Sequence, residues 1–462
     1  MDPLNSLAAR DVRSVIHPFT DLAHHVEEGP MLLSRGEGVY VIDESGYRYL
    51  EGMAGLWCAN LGFSEARLVE TAREQMDRLP TYHMFGGKSH RPGIELAERL
   101  LAMAPVPMSK VMFTCSGSEA NDTAIKLVRY YHHAVGKPEK RKIIARERAY
   151  HGATLGSASL SGLPHVHRDF GLPLEGFVRT GCPHHYRYGG PGESEEAFAA
   201  RLAAELEDLI LRENPDTIGA FMAEPIMGAG GVIMPPPSYL QHVQAVLRKY
   251  DVLLIADEVI TAFGRTGEMF GCQTFAIEPD LITVGKGLSA GYMPISGVLI
   301  SEPIYQVMLE QSRKIGTFGH GFTYCGHPVC AAVALRALEL YEEDELLDRV
   351  RAIAPHFAAR IMELTAHPLV GHGRACGLVG AIELMADPAQ KVPFDPSLKV
   401  GARVVEHALD YGVILRPLGD VISFCPPLII KGAEIDFLFD AVTRALERTT
   451  AEVGGDHRRQ VA

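Results

Sequence analysis

Residues 252–256, "VLLIA", are apolar at every successive position. A strand with one wet face alternates apolar and polar side chains. A strand apolar on both faces must be covered on both, as in the interior of a parallel sheet. The runs "KVMFTCS" (110–116), "RKIIARERAY" (141–150), "IGAFMAEP" (218–225) and "DLITVGK" (280–286) are likewise short and β-rich, with helical stretches between them. Such alternation predicts an α/β domain with a mostly parallel sheet over residues 81–330. The flanks read differently. Residues 36–50, "GEGVYVIDESGYRYL", alternate on both sides of an acidic, glycine-ended turn, which predicts a hairpin, and a helix follows over 64–79. Toward the end, "GLVGAIELM" and "GVILRPLGDVISFCPPL" carry strand runs, the latter hinged near Gly419 and Asp420. A last helix over 433–449 lines up Ile435, Leu438, Val442, Ala445 and Leu446 on one face. Residues 331–462 therefore read as a smaller α+β domain, with residues 1–80 as an N-terminal segment contributing to it.

The composition, 47% hydrophobic and 22% charged, is that of an ordinary globular chain. A formal net charge of −13 disfavours nucleic acid or an anionic membrane as partner. No apolar run reaches the ~18 residues of a membrane span. "MDPLNSLAARDVRSV" lacks the apolar centre of a signal peptide. Eight scattered cysteines without a CxxC pair suit reduced thiols, so the expected location is cytoplasmic.

The chemistry collects at the strand ends, where open α/β sheets bind ligands. "KVMFT" runs through Ser116, Gly117 and Ser118 into a helix whose buried stripe is Ala120, Ala124, Leu127, Val128 and Tyr131. Two hydroxyls, a glycine and free helix N-terminal N–H groups make a phosphate cradle; an ordinary Ser-capped helix has the same local pattern. The chain lacks GxxxxGK[ST], and no clean GxGxxG follows a strand, so a nucleotide loop is not indicated. Asp257 follows five apolar residues and needs a cation or several donors there. Beyond Asp280, Lys286 is the one charged residue as far as Ile300, and Gly285 and Gly287 flank it as if to clear space for a ligand. A plain Asp257–Lys286 ion pair would account for the two charges but not for the cradle. Pyridoxal 5′-phosphate joins all three, offering an aldehyde to a lysine, a ring nitrogen to a carboxylate and a phosphate to a helix N-terminus.

The ordered set SGSEAN, YHG, LIADEV, TVGKGL and GFTYCGHP resembles the class III aminotransferases, which are fold type I pyridoxal-phosphate enzymes, from about Val39 to the last helix. The resemblance implies that Lys286 forms the Schiff base and then carries the proton of the 1,3-shift. It implies that Asp257 holds the ring nitrogen and that Val259 and Tyr150 pack the two ring faces. Ser116, Gly117 and Ser118 would take the phosphate, with His151 and Glu224 around the cofactor. Thr323 would reach the phosphate in a partner subunit, implying a homodimer or dimer of dimers with sites at its interface.

Within the class, "MAGLWCANLG" resembles ω-aminotransferases that pair pyruvate with amines or ω-amino acids. Leu56 and Trp57 would wall the substrate pocket, with Phe85 arriving from the partner and Phe19 loosely at the rim. Gly86 and Lys88 stand where relatives often carry an aromatic and an arginine, implying a roomier pocket. Arg416 would bind the keto-acid carboxylate and swing away for an apolar amine. A decarboxylase or aminomutase of the same family, or a non-catalytic cofactor-binding protein, are the other readings. The pairs His24–His25, His132–His133 and His184–His185 lack i, i+4 spacing and read as solvated surface, with no metal assigned.

Overall fold

The computed structural model describes residues 6–460, with side chains placed through residue 453. Three sheets organise it. β1 (Leu33–Glu37), β2 (Tyr40–Asp43) and β3 (Arg48–Glu51) form an antiparallel meander. The β2–β3 connection is the expected hairpin. Asp43 Oδ1 accepts from the N–H groups of Ser45 and Tyr47 at 2.9 Å each, and Gly46 takes the positive φ of 88° that the turn requires.

The central sheet holds β4 (Lys110–Thr114), β5 (Lys142–Arg146), β6 (Phe177–Thr180), β7 (Ile218–Ala223), β8 (Leu253–Asp257), β9 (Leu281–Val284) and β10 (Ser296–Ile300). Their order is β4-β10-β9-β8-β7-β5-β6. Neighbours pair in parallel except β10, which runs antiparallel to both β4 and β9. All five strands read from the sequence are in this sheet; β6 and β10 are additions. β6 is four residues of mixed character. β10 follows β9 after residues 285–295 only, too short a link for a parallel crossover, so the chain returns antiparallel. β8 and β9 pair in parallel with Asp257 opposite Thr283, so both strands leave the sheet at one rim.

The remaining strands are β11 (Val370–Cys376), β12 (Val379–Leu384), β13 (Val413–Ile414), β14 (Arg416–Leu418) and β15 (Val421–Phe424). Four of them form an antiparallel sheet in the order β11-β12-β15-β14. β13 leaves that sheet to pair in parallel with β3, placing Ile414 opposite Glu51. The last helix, Gly432–Gln460, buries Ile435, Leu438, Val442, Ala445 and Leu446 completely, as its periodicity predicts. All eight cysteines are free, and no described helix is long and apolar enough to cross a membrane.

The histidine pairs are solvated surface only in part. His132 is buried with Nε2 donating to Gly219 O at 3.0 Å, and His184 is buried with Nε2 3.0 Å from Glu383 Oε2. Adjacent residues on a helix or turn point in different directions, so one ring of a pair can serve the interior while its neighbour faces out. His24 and His133 are the outward-facing members.

Leu438 is fully enclosed, so Leu438→Ala is expected to cost about 2–5 kcal/mol through lost transfer energy and a residual cavity. A lowered urea midpoint, with the cofactor absorbance unchanged before denaturation, is the measurement that checks it.

Candidate active site

At the rim where β8 and β9 end, a cavity of about 610 Å³ opens. Its lining includes Leu56, Trp57, Gly117, Ser118, Tyr150, His151, Glu224, Asp257, Val259, Lys286 and Arg416 from the sequence reading, with Phe19 at the edge.

Asp257 closes β8 with only 4% of its surface exposed. Its Oδ2 lies 2.7 Å from His151 Nδ1 and accepts from Asn121 Nδ2 at 2.8 Å; its Oδ1 accepts from the Val259 N–H at 3.1 Å. Asn121 also donates to His151 O at 2.6 Å, locking the loop after β5 against the helix Gly117–Ala134. Asn121 stands in the quoted "SGSEAN" yet carried no assignment. Its signal was position, one helical turn past the cradle and so on the same face.

Lys286 follows β9 in the left-handed region, with φ 44°. Enclosure by protein pushes its ammonium pKa down, and the Asp257 carboxylate partly restores it. Its Nζ has no hydrogen-bond partner among the described residues, so the amine is free to react. The flanking glycines have another cause than ligand space. A Cβ on Gly287 would meet Asn60 Nδ2 at 2.6 Å, and one on Gly285 would meet Ser296 Cβ at 3.3 Å. They let the lysine turn pack against protein.

Ser116 caps the helix Gly117–Ala134 by accepting from the Glu119 N–H at 3.2 Å, and Ser118 Oγ accepts from the Ala153 N–H at 3.0 Å. A Cβ on Gly117 would meet Val259 Cγ1 at 3.0 Å, so only glycine leaves the helix N-terminus open beside the valine. Gly152, at φ 139°, has no room for a Cβ against Ser118 Oγ and Ser157 Oγ. Glu224 follows β7, buried. Its Oε1 accepts from the Tyr150 N–H at 3.0 Å and its Oε2 from the Gly228 N–H at 2.9 Å, while burial raises its pKa. Arg416 opens β14 into the cavity without an ion-pair partner among the described residues, and burial lowers its pKa. His165, not read from the sequence, faces the same space.

A free lysine, a buried carboxylate and an open helix N-terminus around one cavity fit pyridoxal phosphate. The buried His151 Nε2 and Asn121 Oδ1, unpaired among the described residues, add polar capacity beside the carboxylate.

Thr323 and Phe85 lie elsewhere. Both are exposed and outside this cavity, and a Cβ on Gly321 would meet Phe85 Cζ at 3.2 Å, which sets the two loops side by side.

The Leu56–Trp57 wall has an unusual backbone. Ala54, Gly55 and Trp57 have φ of 47°, 65° and 65°, a conformation that costs roughly 1–3 kcal/mol for each non-glycine residue. Glu51 at the end of β3 holds it: Oε2 accepts from the N–H groups of Gly55 at 2.5 Å and Met53 at 3.2 Å. Leu56 is thereby turned outward into the cavity and Trp57 inward, 3% exposed. Periodicity gave no hint of Glu51, because a buried strand-end carboxylate reads as an ordinary surface charge.

The family model for class III aminotransferases matches residues 22–446. Among curated relatives, the chloroplastic gamma aminobutyrate transaminase 3 of Solanum lycopersicum is 47% identical over 97% of this chain and 88% of its own. The probable mitochondrial gamma-aminobutyrate transaminase 2 of Oryza sativa subsp. indica is 48% identical over 95% and 89%. Among solved structures, the Pseudomonas jessenii ω-transaminase in complex with PMP superposes with a TM-score of 0.96 at 51% identity, covering 97% of this chain and 99% of that one. The PMP-bound Vibrio fluvialis aminotransferase gives 0.95 at 43%, with the same coverage. The chain belongs to the class III aminotransferases. It is an amino-group-transferring enzyme with the fold type I architecture, and pyridoxal phosphate is its cofactor.

Trp57 is the single tryptophan, so its emission reports on the strained wall. Glu51→Ala leaves two N–H groups unpaired at about 1–3 kcal/mol each and is expected to red-shift and expose that emission. Burial raises the Glu51 pKa from 4.5 to about 8. The fold then keeps a proton that the unfolded chain releases, so this contribution to stability is complete below about pH 4.5 and lost as pH rises toward 8. Urea midpoints followed across that window should fall more for the parent than for Glu51→Gln.

Proposed function

We propose that this enzyme moves an amino group from a primary amine or ω-amino acid to a keto acid, with pyruvate as acceptor, by a ping-pong cycle. The observation that carries this reading is Arg416. Among the described residues it is a cation without an ion-pair partner, facing the same cavity as Lys286 and Asp257. A guanidinium in that state suits a carboxylate bidentately. The walls of Leu56, Trp57, Phe19, Leu163 and Leu418 suit the carbon chain of an amine. The names of the plant relatives, which specify an ω-amino acid, and those of the ω-transaminase structures support the donor class.

Bound pyridoxal phosphate supplies an electrophilic carbonyl and a ring that stores electrons. The chain's own groups would do the rest. Asp257, oriented by His151 and Asn121, would hold the ring nitrogen and keep it protonated. The helix N-terminus at Gly117 and Ser118, with Ser116, would hold the phosphate. Val259 and Tyr150 would confine the ring, and Glu224 fixes the Tyr150 backbone. Lys286, its pKa lowered by burial, would be the attachment point at Nζ and, once the substrate amine has displaced it, the group that moves the proton.

A homodimer accompanies the reading. Thr323, Phe85, Tyr82 and Tyr324 are exposed away from this chain's own cavity, which is where residues serving a second copy's site belong. The eight free cysteines support a cytoplasmic location. Residues 81–330 would form the cofactor-binding domain, since the seven-stranded sheet lies wholly within them, with 1–80 and 331–462 building the smaller domain.

Lys286→Ala is expected to lose the cofactor's imine absorbance and at least the roughly 10²–10⁴-fold that a positioned acid/base supplies. Arg416→Ala is expected to raise the KM for pyruvate about 10- to 100-fold, from a charge-assisted bond of about 1.5–3 kcal/mol. The KM for an apolar amine should stay within about threefold. A panel of amine donors with pyruvate, read as alanine formed, tests the assignment; no alanine from any donor would refute pyruvate as acceptor.

A further inference from the structure

The helices Leu7–Ser14 and Leu22–Glu28 are joined by residues 15–21, which lie next to the active-site cavity but outside its chemistry. Asp11 projects from the first helix, His25 from the second and His17 from the connection. His17 Nε2 lies 2.8 Å and His25 Nε2 3.3 Å from the same atom, Asp11 Oδ2. The three candidate ligand atoms fall within 4.8 Å of one another, and the two imidazole rings are 4.3 Å apart, tilted by 43°. None of the three is a free surface side chain: Asp11 is 19%, His17 32% and His25 10% exposed.

One imidazole is enough to pair a carboxylate. Two rings from separate segments place Nε2 against one oxygen, a convergence that two imidazole donors make and that a shared metal ion would also make. Tetrahedral zinc with bonds of about 2.0–2.1 Å sets its ligands about 3.3–3.4 Å apart. The His25–Asp11 distance already has that value. The His17–Asp11 distance needs to open by about half an ångström. Two neutral nitrogens and a carboxylate oxygen form a donor set for borderline divalent ions, with the fourth position left to water.

We propose that Asp11, His17 and His25 form a binding site for a divalent transition-metal ion of the zinc class, clipping the two N-terminal helices together. Its consequence reaches the cavity through the chain. His17 precedes Pro18 and Phe19, both of which line the cavity, and the Phe19 ring lies 6.1 Å from those of Tyr150 and His165. Phe19 holds a φ of 51°, so its connection benefits from an external brace. A bound ion would anchor the residue next to this rim and stabilise the folded arrangement by mass action.

The test uses untagged, cofactor-loaded enzyme cleared of metal with a chelator and titrated with Co²⁺, then with Zn²⁺. One equivalent per chain is expected, with the visible bands of tetrahedral cobalt, displaced by zinc, and zinc should raise the Tm. His17→Ala and His25→Ala should each weaken binding at least about tenfold and abolish the Tm shift. His24→Ala, at the exposed neighbour, should bind like the parent. Unchanged cofactor absorbance in every variant shows that the fold is kept. Absence of a saturable cobalt band, or equal binding by the parent, His17→Ala and His25→Ala, overturns the proposal.

Discussion

A carboxylate buried at the end of a strand is costly unless donors surround it, and Asp257 organises the site for that reason. Its partners come from three places. Asn121 comes from the helix Gly117–Ala134, His151 from the loop after β5, and the Val259 N–H from its own turn. Meeting those bonds fixes the N-terminal turn of the helix Gly117–Ala134 relative to the strand end. It also sets Tyr150 between His151 and Glu224, whose Oε1 holds the Tyr150 N–H. Lys286 needs no bond of its own, because the parallel pairing of β8 with β9 delivers it to the same rim.

Much of this was legible in the sequence because it depends on local pattern. Doubly covered strands such as β8 read as unbroken apolar runs, and five of the seven central strands carry short β-rich runs between helical stretches. The cavity residues Gly117, Glu224, Asp257 and Lys286 sit at the ends of those runs, so strand reading and site reading are one inference. What escaped depends on contacts remote in sequence. β10 is the exception, since its run Val298–Ile300 carries the same apolar signal as β8. Glu51 and His165 carry no local signature, and the sequence does not show that Asn60 crowds Gly287 or that Ser296 packs close to Gly285. The histidine pairs misled for the same reason: adjacency in sequence says nothing about which ring turns inward.

The two sides of the cavity are assembled differently. One, with Asp257 and Lys286, is built at strand ends. The other hangs on short, strained or terminal segments: residues 53–58 held by Glu51, the connection bearing Phe19, and Arg416 at the start of β14.

The pairing of β3 with β13 also has a temporal side. Gly52 N–H donates to Ile414 O at 2.9 Å, and Cys425 N–H donates to Gly52 O at 2.8 Å. The strand that bears Glu51 thus waits for neighbours that come far later in the chain. On the ribosome the seven-stranded sheet is translated in full long before those neighbours emerge. A nascent chain arrested in between would hold the seven-stranded sheet and Glu51, but neither the Ile414 and Cys425 groups that bond Gly52 nor Arg416.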